Sequence, residues 1–112
     1  MYLEKQSGRE MISDLARLYG VDPLLAITIC QLESSLDPDA IGDGGASVGL
    51  YQWQLPSWEH VRAAMRLTPA DQRKDPWQNI KTAMFAMGRL KLYNWWSTYH
   101  AALRRINSTT PQ

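Results

Sequence analysis

Residues 24–34, LLAITICQLES, read as a helix that is apolar on nearly every side, and no other feature constrains the fold as much. Asp22 offers a side chain to cap its first turn and Pro23 fits just inside it. A helix with no wet face belongs in the middle of a core, so other helices have to wrap it. The chain has 112 residues, 45% of them apolar, which is enough for one such shell and short of the length at which chains divide. One domain over residues 1–112 is therefore expected. Five Trp, five Tyr and a formal charge of only +1 exclude a disordered chain, a collagen-like repeat and a polybasic tail. Cys30, inside the apolar helix, is the only cysteine. It excludes an intrachain disulfide and a cysteine-built zinc site, and reads as a small buried hydrophobe.

The partners of this helix are visible on both sides. Ser7 and Glu10 have the spacing of a capping box, and Ile12, Leu15, Ala16 and Tyr19 then follow a three-four spacing until Gly20 stops the helix. Downstream, Ser57 can cap a helix running through Leu67, and Thr68-Pro69 makes a brief turn. Asp75-Pro76 starts a longer helix that turns Trp77, Ile80, Met84 and Met87 inward, the methionines as core filler. A last helix over residues 95–106 places Trp95, Tyr99, Ala102 and Ile106 on one stripe, and residues 108–112 fray. Residues 37–47, DPDAIGDGGAS, are turn chemistry, with Asp43-Gly44-Gly45 suited to a tight hairpin-like reversal. The segment VGLYQWQLPSW has no clean period and reads as a loop packed against the domain. The expected class is all-α with at most a small β-hairpin.

One residue in this plan is out of place. Ala26, Ile29 and Cys30 precede Glu33 by seven, four and three positions, so the carboxyl continues an apolar stripe. Desolvation there raises its pKa, and the negative end of the helix macrodipole pushes the same way. A carboxylic acid kept protonated near neutral pH is what general-acid catalysis needs.

Other function classes fit less well. No apolar run approaches the roughly 20 residues that cross a bilayer, so the chain reads as soluble, without membrane insertion. MYLEKQSGRE lacks the apolar core of a secretory signal. Charge is uneven, with three basic and nine acidic residues up to Glu59, then nine basic and two acidic from His60 onward. A basic half could meet an anionic polymer, but Arg62, Arg66, Lys81, Arg89, Lys91, Arg104 and Arg105 all fall in helical patterns whose outer faces must be polar. A helix-turn-helix has a foothold in ISDLARLYGVDPLLAITICQLE, yet its second helix would offer base edges only Thr28 and Gln31. No nucleic-acid partner is expected. His60 and His100 have no partner at ligand spacing, so no metal and no cofactor is expected, and His60 faces solvent.

The stretch ESSLDPDAIGDGGASVGLYQWQLPS, followed by DPWQNIKTA and then TYHAA, resembles the lytic transglycosylase catalytic domain, a lysozyme-like fold that cleaves peptidoglycan. The family pattern falls on Glu33-Ser34, Gly45-Ala46, Gly49-Leu50-Tyr51-Gln52, Asn79-Ile80 and Tyr99, and the resemblance spans about residues 12–106. It implies that Glu33 is the single catalytic acid and then base, acting between N-acetylmuramic acid and N-acetylglucosamine and leaving a 1,6-anhydro end. It further implies that Gln52 and Tyr99 hydrogen-bond at the active site and that Ser34 supports the glutamate. Tyr51 and Trp53 are read as aromatics that stack on sugar rings, with a place in the core as the alternative.

The chain departs from the family pattern at Tyr51, where Met is usual, and at His100 and Ala102, where Asn and Gly are usual. Asp43 stands where transglycosylases carry Ser. Goose-type lysozymes carry Asp there in a similar turn, although their second Asp corresponds to Gln54. A hydrolytic muramidase in which Asp43 positions water is thus the alternative reading. The implied partner is the peptidoglycan glycan strand, met by a monomer at the bacterial wall, in the periplasm or in phage lysis.

Overall fold

A computed structural model describes residues 7–108; of the fraying expected over 108–112, Ser108 is instead the last residue of a helix, and 109–112 lie outside the described residues. Helix α1 (Gly8–Tyr19) begins at the capping box: the Ser7 hydroxyl accepts from the Glu10 N–H at 3.2 Å, and the Glu10 carboxylate accepts from the Ser7 N–H. Gly20 ends it in the left-handed region at φ 74°. Helix α2 (Pro23–Ser34) is capped by Asp22, whose Oδ1 accepts from the Leu24 N–H at 3.0 Å. It terminates through Ser35 and Leu36, both at positive φ. Strands β1 (Ile41–Gly42) and β2 (Ser47–Val48) pair antiparallel, Ile41 opposite Val48, around a 3-10 turn at Asp43–Gly45. Helices α3 (Leu55–Ala64), α4 (Pro76–Gly88) and α5 (Tyr99–Ser108) complete the fold. The expected all-α class with a small hairpin is what the structure has.

Helices α1 and α5 pack on α2, while α4 packs on α1 and α3. The more deeply set helix is α4, which buries eight residues from Asn79 to Gly88, whereas Leu24 of α2 stays 54% exposed. Small residues explain this. At Gly88 even a methyl group would collide with the Tyr19 carbonyl oxygen, so α1 and α4 meet backbone to backbone.

Four expectations are corrected. Gln54, not Ser57, is the cap position of α3, because Pro56 fits the first turn and lacks the donor that an interior position would need; the helix stops at Ala64 instead of Leu67. Trp77 is 39% exposed, since Asn79 takes the inward place in that turn. Trp95 is 45% exposed and lies in a 3-10 turn ahead of α5; its neighbour Trp96 is the buried ring, donating from Nε1 to the Tyr51 carbonyl at 2.9 Å. Arg62 is not on an outer face. It is 2% exposed, with Trp58 5.1 Å beneath the guanidinium.

Arg62 donates to the Thr68 carbonyl, Gln72, Gln78 and Thr82 at 2.8–3.2 Å. It ties the α3–α4 connection to both helices, and among the described residues no carboxylate forms an ion pair with it. A lysine keeps the charge but cannot make this fork. Arg62→Lys is therefore expected to lower stability by about 2 kcal/mol and the melting temperature by roughly 8 °C, checked by calorimetry. Cys30 is buried as expected; burial pushes its thiol up to about 12, and the group lies 3.4 Å from the Leu50 carbonyl. No helix among the described residues is long and apolar enough to cross a membrane.

Candidate active site

The last turn of α2 delivers Glu33 to the wall of a pocket of about 390 Å³. Asp43 and Ser47 of the hairpin, the loop that follows it, and Trp95–Ser97 ahead of α5 form the remaining walls. Glu33 is half-buried, and its Oε2 accepts a 2.6 Å hydrogen bond from the Thr98 hydroxyl. Burial raises the Glu33 carboxyl above the ordinary carboxylate range. The Thr98 bond pulls it back down in part, and the negative charge of Asp43 raises it further. The result is an acid that holds its proton more firmly than a surface glutamate, beside an open cavity.

Asp43 is exposed, sits at φ 52°, and accepts a 2.5 Å hydrogen bond from the Ser47 hydroxyl, which fixes the carboxylate over the hairpin. It reaches the Glu33 pocket, so the structure brings together the two carboxyls singled out from sequence.

The loop Val48–Trp53 forms the floor and is tied down from three sides. Val48 and Trp53 exchange backbone hydrogen bonds at 3.0 Å, closing a tight turn, and the Gly49 N–H donates to the Ala40 carbonyl at 2.8 Å. Gly49, at φ 85°, is pressed against the Arg73 carbonyl and the Asn79 amide, where a β-carbon has no room. The Asn79 amide bonds Tyr51, Val48 and Arg73, and the Arg73 guanidinium donates to the Ala46 and Trp53 carbonyls while paired with Asp71 at 2.8 Å. Gln52 lines the pocket at φ 51°. Both donor positions of its amide are spent, on the Ala40 and Gly49 carbonyls at 3.1 and 2.9 Å, so only its carbonyl end remains for a ligand.

The other sequence expectations for the site need correction. Tyr51 and Trp53 are core residues: the Tyr51 hydroxyl donates to the Ala26 carbonyl at 2.7 Å, and the Trp53 Nε1 donates to the Asn79 carbonyl at 3.3 Å. Both rings meet Trp96 edge to face, and Trp53 also meets Trp58, so neither has a free face for a sugar. They give the pocket a rigid floor. Ser34 bonds back to the Cys30 carbonyl of its own helix at 3.2 Å and not to Glu33. Tyr99 stacks on Tyr93, with ring centroids 5.1 Å apart, and the hydroxyl that meets Glu33 belongs to Thr98, one residue earlier.

Two residues at the pocket were not singled out from sequence: Thr98, which bonds Glu33, and Trp95, which lines the wall. Thr98 lies 65 residues from Glu33, and no periodicity signals such a pairing. The spacing puts Trp95 on a helical stripe, but the helix begins only at Tyr99. Among the described residues, no group of three or more His, Cys, Asp or Glu is placed to hold a metal ion. A family model described as the transglycosylase SLT domain matches residues 10–106. No curated protein and no solved structure gives a match.

Proposed function

Since the chain belongs to the transglycosylase SLT domain family, whose activity is lysis of peptidoglycan, we propose that Glu33 cleaves the bond between N-acetylmuramic acid and N-acetylglucosamine without consuming water. The protonated carboxyl gives its proton to the glycosidic oxygen as the bond from that oxygen to C1 of the muramic acid breaks. The resulting carboxylate then takes the proton of the sugar's own 6-hydroxyl, whose oxygen closes on C1. The products are a free 4-hydroxyl and a 1,6-anhydro ring, and Glu33 ends protonated as it began. The supporting observation is a single half-buried carboxyl, raised in pKa by desolvation and oriented by Thr98, on the wall of the pocket. The partner is the glycan strand, and the place of action is the bacterial wall.

Asp43 gives a second reading some support, because its carboxylate lies on the same pocket and could align a water molecule for hydrolysis. Its bond from Ser47 and its influence on Glu33 fit an electrostatic role equally well. Mass spectrometry of digested peptidoglycan separates the two. Transglycosylation leaves muropeptides lighter by one water than the reducing ends of a hydrolase. Asp43→Asn is expected to keep the anhydro product, with a rate within about tenfold of the parent at acidic pH. Removing that negative charge lets the Glu33 pKa fall, so the alkaline limb of the activity profile moves to lower pH. Abolition of product by Asp43→Asn, with reducing ends from the parent, would establish the hydrolytic reading instead.

A further inference from the structure

Trp95 is an exposed indole fixed beside the acid, and the glycan-cleavage reading does not yet use it. Its neighbour Trp96 is locked into the core by the Nε1 bond to Tyr51, and this anchor makes the intervening 3-10 turn present Trp95 outward. The ring stays 45% exposed, lines the same pocket as Glu33, and is flanked by His60 of α3 with ring centroids 5.9 Å apart. An indole left in water at the rim of a pocket is an apolar surface waiting for a flat apolar partner. Around it the pocket wall is amide and hydroxyl, from Gln54, Ser57 and Ser97. Among the described residues, none of these three side chains is taken up by a hydrogen bond.

A pyranose presents this same division. Its axial C–H groups form a flat apolar face, and its hydroxyl and acetamido groups form a polar edge. We propose that Trp95 is the platform on which one N-acetylated hexosamine ring of the substrate stacks, its polar edge turned to Gln54, Ser57 and Ser97. The assignment rests on the glycan-cleavage reading and adds to it the residue that seats the strand. It also places the binding energy on the side of the pocket formed by α3 and the turn before α5, away from the Asp43 hairpin. The aromatics of the Val48–Trp53 loop, buried as they are, cannot take this part.

Trp77 serves as the internal control, because it is exposed to a similar degree and does not line the pocket. The protein carrying Glu33→Gln is titrated with the N-acetylglucosamine hexamer and with soluble peptidoglycan glycan strands. Adding Trp95→Ala is expected to weaken binding of both probes by about tenfold, with Trp95→Phe within about threefold of the starting affinity and Trp77→Ala unchanged. In the otherwise unaltered enzyme, Trp95→Ala raises KM with kcat nearly constant. If Trp95→Ala binds as tightly as its parent while the unaltered enzyme lyses peptidoglycan, the platform is wrong and the function stands. If the unaltered protein neither lyses peptidoglycan nor, as Glu33→Gln, binds either probe, the functional reading falls and takes the platform with it.

Discussion

Glu33→Gln is expected to reduce peptidoglycan lysis by about 10³-fold or more, since it removes the one proton donor that both halves of the proposed reaction share. The substitution is close to isosteric, and the amide oxygen can still accept the 2.6 Å hydrogen bond from Thr98, so geometry is preserved while the proton is lost. Stability moves the other way. Burial raises the folded-state pKa of Glu33 above its value in the unfolded chain, so between those two values the native state binds more protons. That contribution is fully present below the unfolded pKa and is lost as pH rises through the folded one. Gln has no such dependence, and the variant is expected to gain in melting temperature relative to the parent between pH 4 and pH 7. Turbidity clearance of peptidoglycan and thermal melts at both pH values provide the two readings. An inactive variant that melts far below the parent would make Glu33 part of the framework and not the acid, and activity above a tenth of the parent's would exclude it from the chemistry.

That Glu33 could be singled out from sequence at all depends on a local contradiction, a carboxyl continuing the stripe of Ala26, Ile29 and Cys30 in a helix with no other charge. The same kind of local chemistry made α1, α2 and α4 legible: Ser7 with Glu10, Asp22 before Pro23, Asp75 before Pro76, and Gly20 at a left-handed end. Where two local signals competed, the reading failed. Ser57 and Pro56 both mark a helix start, and the proline decided it by excluding an interior position. Arg62 shows a further limit, because a guanidinium looks like a surface group until Gln72, Gln78 and Thr82 converge on it from later in the chain. The loop Val48–Trp53 has no period, so nothing in it says which aromatic faces in; the answer lies in partners 25–45 residues away, Ala26, Asn79 and Trp96. Sequence singled out Glu33 and the turn beside it, while the Thr98 hydroxyl that bonds Glu33 and the Trp95 ring at the pocket rim are set by contacts across the fold.

Asn79→Ala is expected to have the largest effect on stability, about 3–4 kcal/mol, with a melting temperature lower by roughly 10–15 °C. The side chain is fully buried in the first turns of α4 and reaches across to the site loop. Its Oδ1 accepts from the Tyr51 N–H at 2.9 Å, and its Nδ2 donates to the Arg73 carbonyl at 2.7 Å and the Val48 carbonyl at 3.3 Å. Alanine leaves the buried Tyr51 N–H and the Arg73 carbonyl without these bonds and opens a gap beneath Gly49, whose backbone sits against the amide. Against a total stability of about 5–15 kcal/mol, a loss of this size is a large fraction of the whole. Asn79→Asp keeps the shape but turns an oxygen toward two carbonyl oxygens, so the introduced carboxyl is relieved only when protonated. Its folded-state pKa is raised, and the variant is expected to be closest to the parent at acidic pH and to lose ground as pH rises. Lysis should fall in both variants measured well below their melting temperatures, with KM rising, because the loop that carries Gln52 and floors the Glu33 pocket is released while the acid itself is untouched. Should Asn79→Ala melt within two or three degrees of the parent, the Val48–Trp53 bridge and the Arg73 guanidinium hold that loop by themselves, and α4 shapes the pocket by packing alone.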